Sequence, residues 1–221
     1  MMGNFDISQV MQGVAVGAIP ILFAITLHEV AHGMAARHFG DRTAEMLGRL
    51  SLNPIKHIDP VGTIVVPALM FFTSGFLFGW AKPVPVNFRN LRNPKRDMIF
   101  VALAGPVANI VMGIAWALLL KGIFAFGLSG GVAGVFLISM AEIGISINIL
   151  LAAFNLLPIP PLDGGRVLRG LVSESIGQYL DRIEPFGLII MVLLLVSGFL
   201  WVLVSPMLAL VRSLIVFVVR L

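Results

Sequence analysis

The stretch from Val14 to Gly40 reads VAVGAIPILFAITLHEVAHGMAARHFG. As far as Leu27 it holds no charged side chain; then His28, Glu29 and His32 arrive close together, and Arg37 and His38 follow. The run predicts a helix from about Ser8 to Phe39, long enough for the roughly 20 residues that a bilayer crossing needs. Pro20 is expected to kink this helix without ending it, which membrane helices tolerate. Gly40 and Asp41 read as its stop. Four residues along a helix make one turn plus about 40°, so His28 and His32 leave from one face, with Glu29 beside them.

The rest of the chain agrees with a membrane setting. Of 221 residues, 58% are hydrophobic and 12% charged, against about 25% charged in soluble domains; the mean hydropathy is +1.01. The sequence predicts an all-α polytopic membrane protein with about five to six transmembrane or re-entrant helices and short extended strands in the loops. The length suits one transmembrane domain over 1–221, with a core at about 8–176 and C-terminal hydrophobic segments at about 185–221. It leaves no room for a separate soluble domain of ~100 residues. There are no cysteines, so a metal site must use nitrogen and oxygen ligands. The net charge is +4. The basic residues gather mainly in two loops beside spans, where positive-inside bias accounts for them, and nothing points to nucleic acid. Val14–Leu27 lacks a basic leader and reads as a retained span, not a cleaved signal.

Asp41–Pro60 is polar, and Asn53-Pro54 and Asp59-Pro60 predict turns in place of helix. Met46–Leu52 reads as a short strand. Val61–Gly79 is apolar around Pro67. Trp80–Asp97 is basic, and alternating Val84 and Val86 suit an extended strand or loop over Trp80–Asn87. Met98–Leu120 and Val132–Leu157 are further apolar segments, the second with Glu142 and Asn148 inside it. Pro158, Pro160 and Pro161 cannot continue a helix. Arg166–Ile176 reads as a short amphipathic helix, Phe186–Val204 as another span, and Pro206–Leu221 as a final apolar segment short for a crossing. Both basic loops favour the cytoplasmic side, and consecutive full crossings would separate them. Either Val61–Gly79 is partly re-entrant around Pro67, or one loop departs from the rule.

His28-Glu29-Val30-Ala31-His32 is an H-E-x-x-H motif. On a helix its two imidazoles can bind one Zn²⁺, and Glu29 can act as general base toward a water. Ionisable residues at membrane depth are costly and functional by default. With Arg37 at the interface, His32 lies about 7 Å and His28 about 13 Å below it, so a polar cavity must admit water. A catalytic zinc takes a third protein ligand. His38 lies past Arg37 and is expected at the interface. His57 sits in a turn-rich loop and is a candidate for the cavity mouth. Asp163 follows the proline break, where irregular backbone at membrane depth survives only beside protein or a water cavity. It reads either as the third ligand or as the cap of a helix starting near Gly165. Asn109 either lines the cavity or joins helices by its amide. Gly105-Pro106 reads as a kink with close packing, Glu142 and Asn148 as buried network residues, and Arg89, Arg92, Lys95 and Arg96 as a headgroup-facing loop.

Taken together, the residues resemble the site-2 protease family of intramembrane zinc metalloproteases. The likeness rests on His28–His32, on Ala104-Gly105-Pro106-Val107-Ala108-Asn109, and on Asn155-Leu156-Leu157-Pro158 running into Leu162-Asp163-Gly164-Gly165, and it covers about Gly17 to Arg169. The resemblance implies zinc ligation by His28, His32 and Asp163, one zinc per chain, and catalysis by Glu29. It also implies a substrate-holding or oxyanion role for Asn155, with Asn109 a further candidate. The implied activity is hydrolysis of peptide bonds in transmembrane segments of regulatory proteins, in the cell membrane. The chain looks like a compact subgroup without an inserted PDZ-like domain or long segments before the motif. Two other readings remain: a metal or ion transporter, which lacks the expected repeat and paired discontinuous helices, and a catalytically inactive membrane scaffold, which the intact Glu29 argues against.

Overall fold

The structure is a computed structural model that describes residues 7–66, 69, 79 and 81–220. Its helices are α1 (Ile7–His38), α2 (Thr43–Met46), α3 (Pro94–Ala125), α4 (Gly131–Asn155), α5 (Asp163–Leu171), α6 (Glu174–Ile183), α7 (Gly187–Val196) and α8 (Phe199–Val219). Single helical turns lie at Pro54–His57, Pro60–Val65, Phe88–Asn90 and Glu184–Phe186. Four helices are long and apolar enough to cross a membrane: Gly13–His38, Pro94–Ala125, Gly131–Asn155 and Phe199–Val219. The protein is therefore an all-helical integral membrane protein.

Several expectations need correction. Four candidate spans stand among the described residues; the five to six transmembrane or re-entrant helices expected included Val61–Gly79, most of which, with Pro67, lies outside those residues, as does Trp80. No strand occurs among the described residues. Met46 closes α2, because Ala44 and Thr43 carbonyls draw the following amides of Arg49 and Leu47 into turns. Residues 81–87 have no regular structure; the amides of Lys82, Val84 and Asn87 go to a loop carbonyl and two side chains, and Pro83 and Pro85 have none to give, so no ladder forms. Pro54 and Pro60 begin helical turns instead of replacing them. Asn53 accepts the Ile55 N–H, and Asp59 accepts those of Val61 and Gly62, while proline lacks the N–H that a first helical position leaves unpaired. The amphipathic helix expected over Arg166–Ile176 is two helices broken at Ser173. The span expected over Phe186–Val204 is interrupted at Gly198, whose φ of 74° is left-handed, a conformation glycine adopts without cost. The crossing helix starts beyond it, and Pro206 lies inside that helix. Helix α1 runs through Pro20 and stops where the sequence says. Gly40 has φ 116°, its N–H reaches Arg37 O, and the Asp41 N–H reaches Ala36 O, the paired closure of a Schellman end.

The chain forms two compact units. The first comprises residues 1–24, 106–157 and 189–221. Lipid offers no hydrophobic gain for helix association, so small residues and hydrogen bonds hold such helices together. Ala117, Ala152 and Ala153 are fully buried with Val211, Ile215 and Val219. A Cβ on Gly113 would fall 2.7 Å from Ile215 Cδ1, and one on Gly144 would fall 2.5 Å from Trp116 Cγ. Asn109 Nδ2 donates to Asn148 Oδ1 at 2.9 Å and to Ala24 O at 3.2 Å, and Asn148 Nδ2 donates to Gly144 O at 2.8 Å. Lys121 Nζ donates to Val219 O at the end of α8, at 2.9 Å.

The second unit comprises residues 25–105 and 158–188. Its apolar centre is Ala36, Leu91 and Val101, with Phe39 stacked on Phe100. Gly170 of α5 packs against α3, where a Cβ would lie 2.9 Å from Lys95 O. Arg169 holds α5 to α6 by donating to Asp181 at 2.9 Å and Glu174 at 2.8 Å.

Replacing Gly144 by Val should drive a branched side chain into the Trp116 ring and destabilise the first unit by about 1–3 kcal/mol. Thermal melts in detergent should show this, and adding Trp116→Ala should recover part of the loss.

Candidate metal centre

All residues of this centre belong to the second unit. His28 and His32 sit one turn apart on α1, and Asp163 is the first residue of α5. All three are buried, at 8%, 8% and 6% exposure. His28 Nε2 lies 3.1 Å from His32 Nε2, and Asp163 Oδ2 lies 3.3 and 3.2 Å from those two nitrogens. The triangle is nearly equilateral. Ligands on a tetrahedral zinc at 2.0–2.1 Å stand about 3.3–3.4 Å apart, so the three atoms fit one face of such a site.

The protonation pattern supports the fit. His32 Nδ1 is 2.7 Å from Val101 O. A carbonyl only accepts, so Nδ1 carries the proton and Nε2 turns its lone pair to the triangle. Asp163 Oδ2 is buried and makes a well-directed hydrogen bond with neither imidazole. A buried carboxylate oxygen facing the His32 lone pair suits a shared cation between them. Gly105 completes the hollow: a Cβ there would fall 2.6 Å from His28 Cε1, 2.7 Å from His28 Nε2, and closer still to His32 Nε2.

Local sequence explains how Asp163 is placed. Leu162 is the N-cap of α5, and its carbonyl accepts from Gly165 and Arg166; Asp163 is not the cap. A Cβ on Gly165 would come within 2.7 Å of Ile159 C and 2.6 Å of Pro160 N, so the glycine lets the first turn of α5 press against the proline segment.

Glu29 is half-buried beside the triangle, and its Oε2 accepts the Val84 N–H at 2.7 Å. The segment carrying Val84 approaches α1 where Gly33 leaves space; a Cβ there would lie 2.8 Å from Val84 Cγ1. Three further points fix it. The Lys82 N–H reaches His57 O at 2.9 Å, Arg49 Nη2 donates to Lys82 O at 3.0 Å, and the Asn87 N–H donates to Asp41 Oδ2 at 2.7 Å. Asp41 is fully buried, and its other oxygen accepts from the Thr43 N–H, the Thr43 hydroxyl and Asn90 Nδ2. Burial pushes the Asp41 carboxyl up, but the donors of Thr43, Asn87 and Asn90 outweigh it and hold it below the usual carboxylate range.

Among the described residues, the metal-capable group contains only His28, His32 and Asp163. His57 is buried elsewhere in the same unit, with Nε2 donating to Ser51 O at 2.8 Å. His38 is exposed and edges against Phe39. Asn109 lies in the buried amide network of the first unit. Asn155, also in that unit, donates to Leu151 O one turn back. Sequence reasoning missed three contributors. Gly105 was legible only as a packing glycine. The Val101 carbonyl and the Val84 amide are backbone groups, which leave no trace in residue identity.

The sequence profile described as peptidase family M50 matches residues 16–198. The chain is 39% identical over 180 residues to the "Putative zinc metalloprotease YwhC" of Bacillus subtilis, covering 81% of this chain and 79% of that one. It is 32% identical over 177 residues to the "Putative zinc metalloprotease Rip2" of Mycolicibacterium smegmatis, covering 80% of this chain and 64% of the relative, just under two thirds of its length. It is 23% identical over 163 residues to the "Zinc metalloprotease MJ0392" of Methanocaldococcus jannaschii, covering 74% and 36%. No solved structure gives a significant match.

Two outcomes follow from the geometry. Gly105→Ala should place a methyl group in the hollow and abolish binding of a divalent metal, measured as metal per chain after gel filtration, with the helical circular-dichroism signal retained. Asp41→Asn turns one acceptor into a donor facing donors and should cost about 1–3 kcal/mol at pH 7. The folded-state pKa of Asp41 is below its unfolded value, so its contribution is present above about pH 4 and is lost as pH falls through the lower folded value. The melting-temperature gap between variant and wild type should therefore close on acidification below pH 4.

Proposed function

The chain belongs to peptidase family M50, the family of the site-2 proteases, and from that premise we propose that it is an intramembrane zinc endopeptidase. It would hold one zinc per chain and cut peptide bonds in or near the transmembrane segments of membrane proteins, within the cell membrane. The observation that carries this reading is the triangle of His28 Nε2, His32 Nε2 and Asp163 Oδ2, with sides of 3.1–3.3 Å. The placement of His28 and His32 on a helix long and apolar enough to cross a membrane supports an intrabilayer site.

A zinc ion bound by these atoms would supply Lewis acidity to a scissile carbonyl and would acidify a water. The other duties fall to the chain. The Val101 carbonyl fixes the His32 tautomer, so that Nε2 serves as the ligand atom. The Val84 N–H holds one carboxylate oxygen of Glu29, leaving Oε1 to take a proton from the attacking water and return it to the leaving amine. Asn155 is proposed as a donor toward the substrate or the developing oxyanion, for which its amide must leave the Leu151 carbonyl. The Asn109 amide is engaged in holding helices together, so we assign it to packing. Backbone groups of the 81–87 segment offer a surface on which an unwound substrate could align.

The test pairs wild type with Glu29→Gln, purified in detergent and reconstituted with single-span test substrates. Both should retain about one zinc per chain, while cleavage by the variant should fall by roughly 10²–10⁴-fold. Equal cleavage by the two proteins, or no zinc in either, would reject the reading.

A further inference from the structure

Glu142 lies on α4, a candidate membrane span within the first unit, and this inference rests on that membrane setting alone, not on the peptidase reading. The residue is about 17 Å along a helix of about 37 Å, close to mid-span. Its side chain is exposed. No hydrogen bond or ion pair reaches it among the described residues. Ser139 and Ser146 lie three residues before and four after it, so the three side chains line one face of the helix. With Ile143, Ile147 and Leu150 they form a groove of about 400 Å³, closed on one side by Ile21 of α1. From Ser139 to Leu150 the groove runs about 17 Å, three helical turns.

A carboxyl group exposed to hydrocarbon is unfavourable and calls for a polar partner. Small serines beside it allow a second helix to approach closely and to hydrogen-bond. We infer that the Ser139–Glu142–Ser146 face of α4 is a docking site for a transmembrane helix of another protein, one that carries a hydrogen-bond donor, charged or amide, near its midpoint.

Charge complementarity selects that occupant over a second copy of this chain. Copies in one membrane share an orientation, so a two-fold pair about the membrane normal sets Glu142 opposite Glu142. There each carboxyl meets only another carboxyl, whereas a lysine or amide donor on another helix meets its acceptor oxygens directly. The exposed cation of α8, Arg212, sits about 10 Å from the end of that helix, the end where Lys121 meets Val219. A side chain of that length reaches the headgroup layer from there, and a head-to-tail contact between Arg212 and Glu142 would form open rows, not closed pairs.

The experiment uses the full chain, fluorescently labelled, in phosphatidylcholine vesicles. The probes are synthetic leucine-rich single-span helices with Lys, Asn or Leu at the midpoint, and association is read by energy transfer. The Lys and Asn helices should bind roughly three- to thirtyfold more tightly than the all-leucine helix. Glu142→Leu should erase that preference. Ser146→Leu, which fills the groove and keeps the carboxylate, should weaken binding of all three helices. Unchanged melting temperature and zinc content in both variants exclude a folding defect and keep the result separate from the metal centre. Equal binding of the three helices to wild type overturns the proposal, as does a preference that survives Glu142→Leu. Self-association of the labelled protein that Glu142→Leu or Arg212→Leu abolishes also overturns it, since the groove would then be an interface between copies.

Discussion

Hydrocarbon solvates no polar atom, so every such atom on a membrane helix must find its partner within protein. The His32 Nδ1–Val101 O bond is the sharpest instance. It ties the motif helix to α3 with one proton, and that same proton decides which ring nitrogen turns its lone pair toward Asp163. In the first unit the amides of Asn109 and Asn148 answer the carbonyls of Ala24 and Gly144. The two bonds that Asn109 makes to other helices demand short helix–helix distances, in keeping with Ala117, Ala152, Ala153, Gly113 and Gly144 at the contacts. Small residues and buried amides are thus two expressions of one requirement.

Outside the spans a different economy operates. Residues 81–87 form no ladder, yet the amides of Lys82, Val84 and Asn87 reach His57 O, Glu29 and Asp41. Prolines at 83 and 85 remove two donors that would otherwise need partners. The segment is therefore placed by a few directional bonds and by the space that Gly33 leaves, and it brings a backbone N–H to the carboxylate of Glu29, next in sequence to His28. Asp41, at the end of α1, anchors the far side of the same segment and couples the helix terminus to it.

Much of this was legible in the sequence. The H-E-x-x-H spacing, the apolar lengths and the stop at Gly40-Asp41 are local features, and local features are what residue identity records. The position of Asp163 beside the histidines came from the family resemblance; spacing alone left it balanced between ligand and cap. Errors arose where short-range rules competed. Asn53-Pro54 and Asp59-Pro60 carry turn chemistry and helix-start chemistry at once, and the capping side chains tipped the balance to helix. Pro206 looked like a break and Ser197-Gly198 like continuous span, whereas the glycine breaks the helix and the proline does not. Met46–Leu52 and 81–87 have strand-like composition but no neighbour to pair with. The backbone groups of Val101 and Val84 were invisible because any residue but proline supplies an N–H and every residue a carbonyl.

The glycine facing His28 and His32 has a bearing on how this sequence can drift. Glycine at 105 is defined by what it lacks, and every replacement adds at least one carbon. There is no graded series of alternatives through which the position could wander, as Ile, Val and Leu permit elsewhere in a span. Position 105 is thus the point on this helix where any side chain at all meets the two imidazoles, so its tolerance is set by absence of volume and not by choice among apolar shapes.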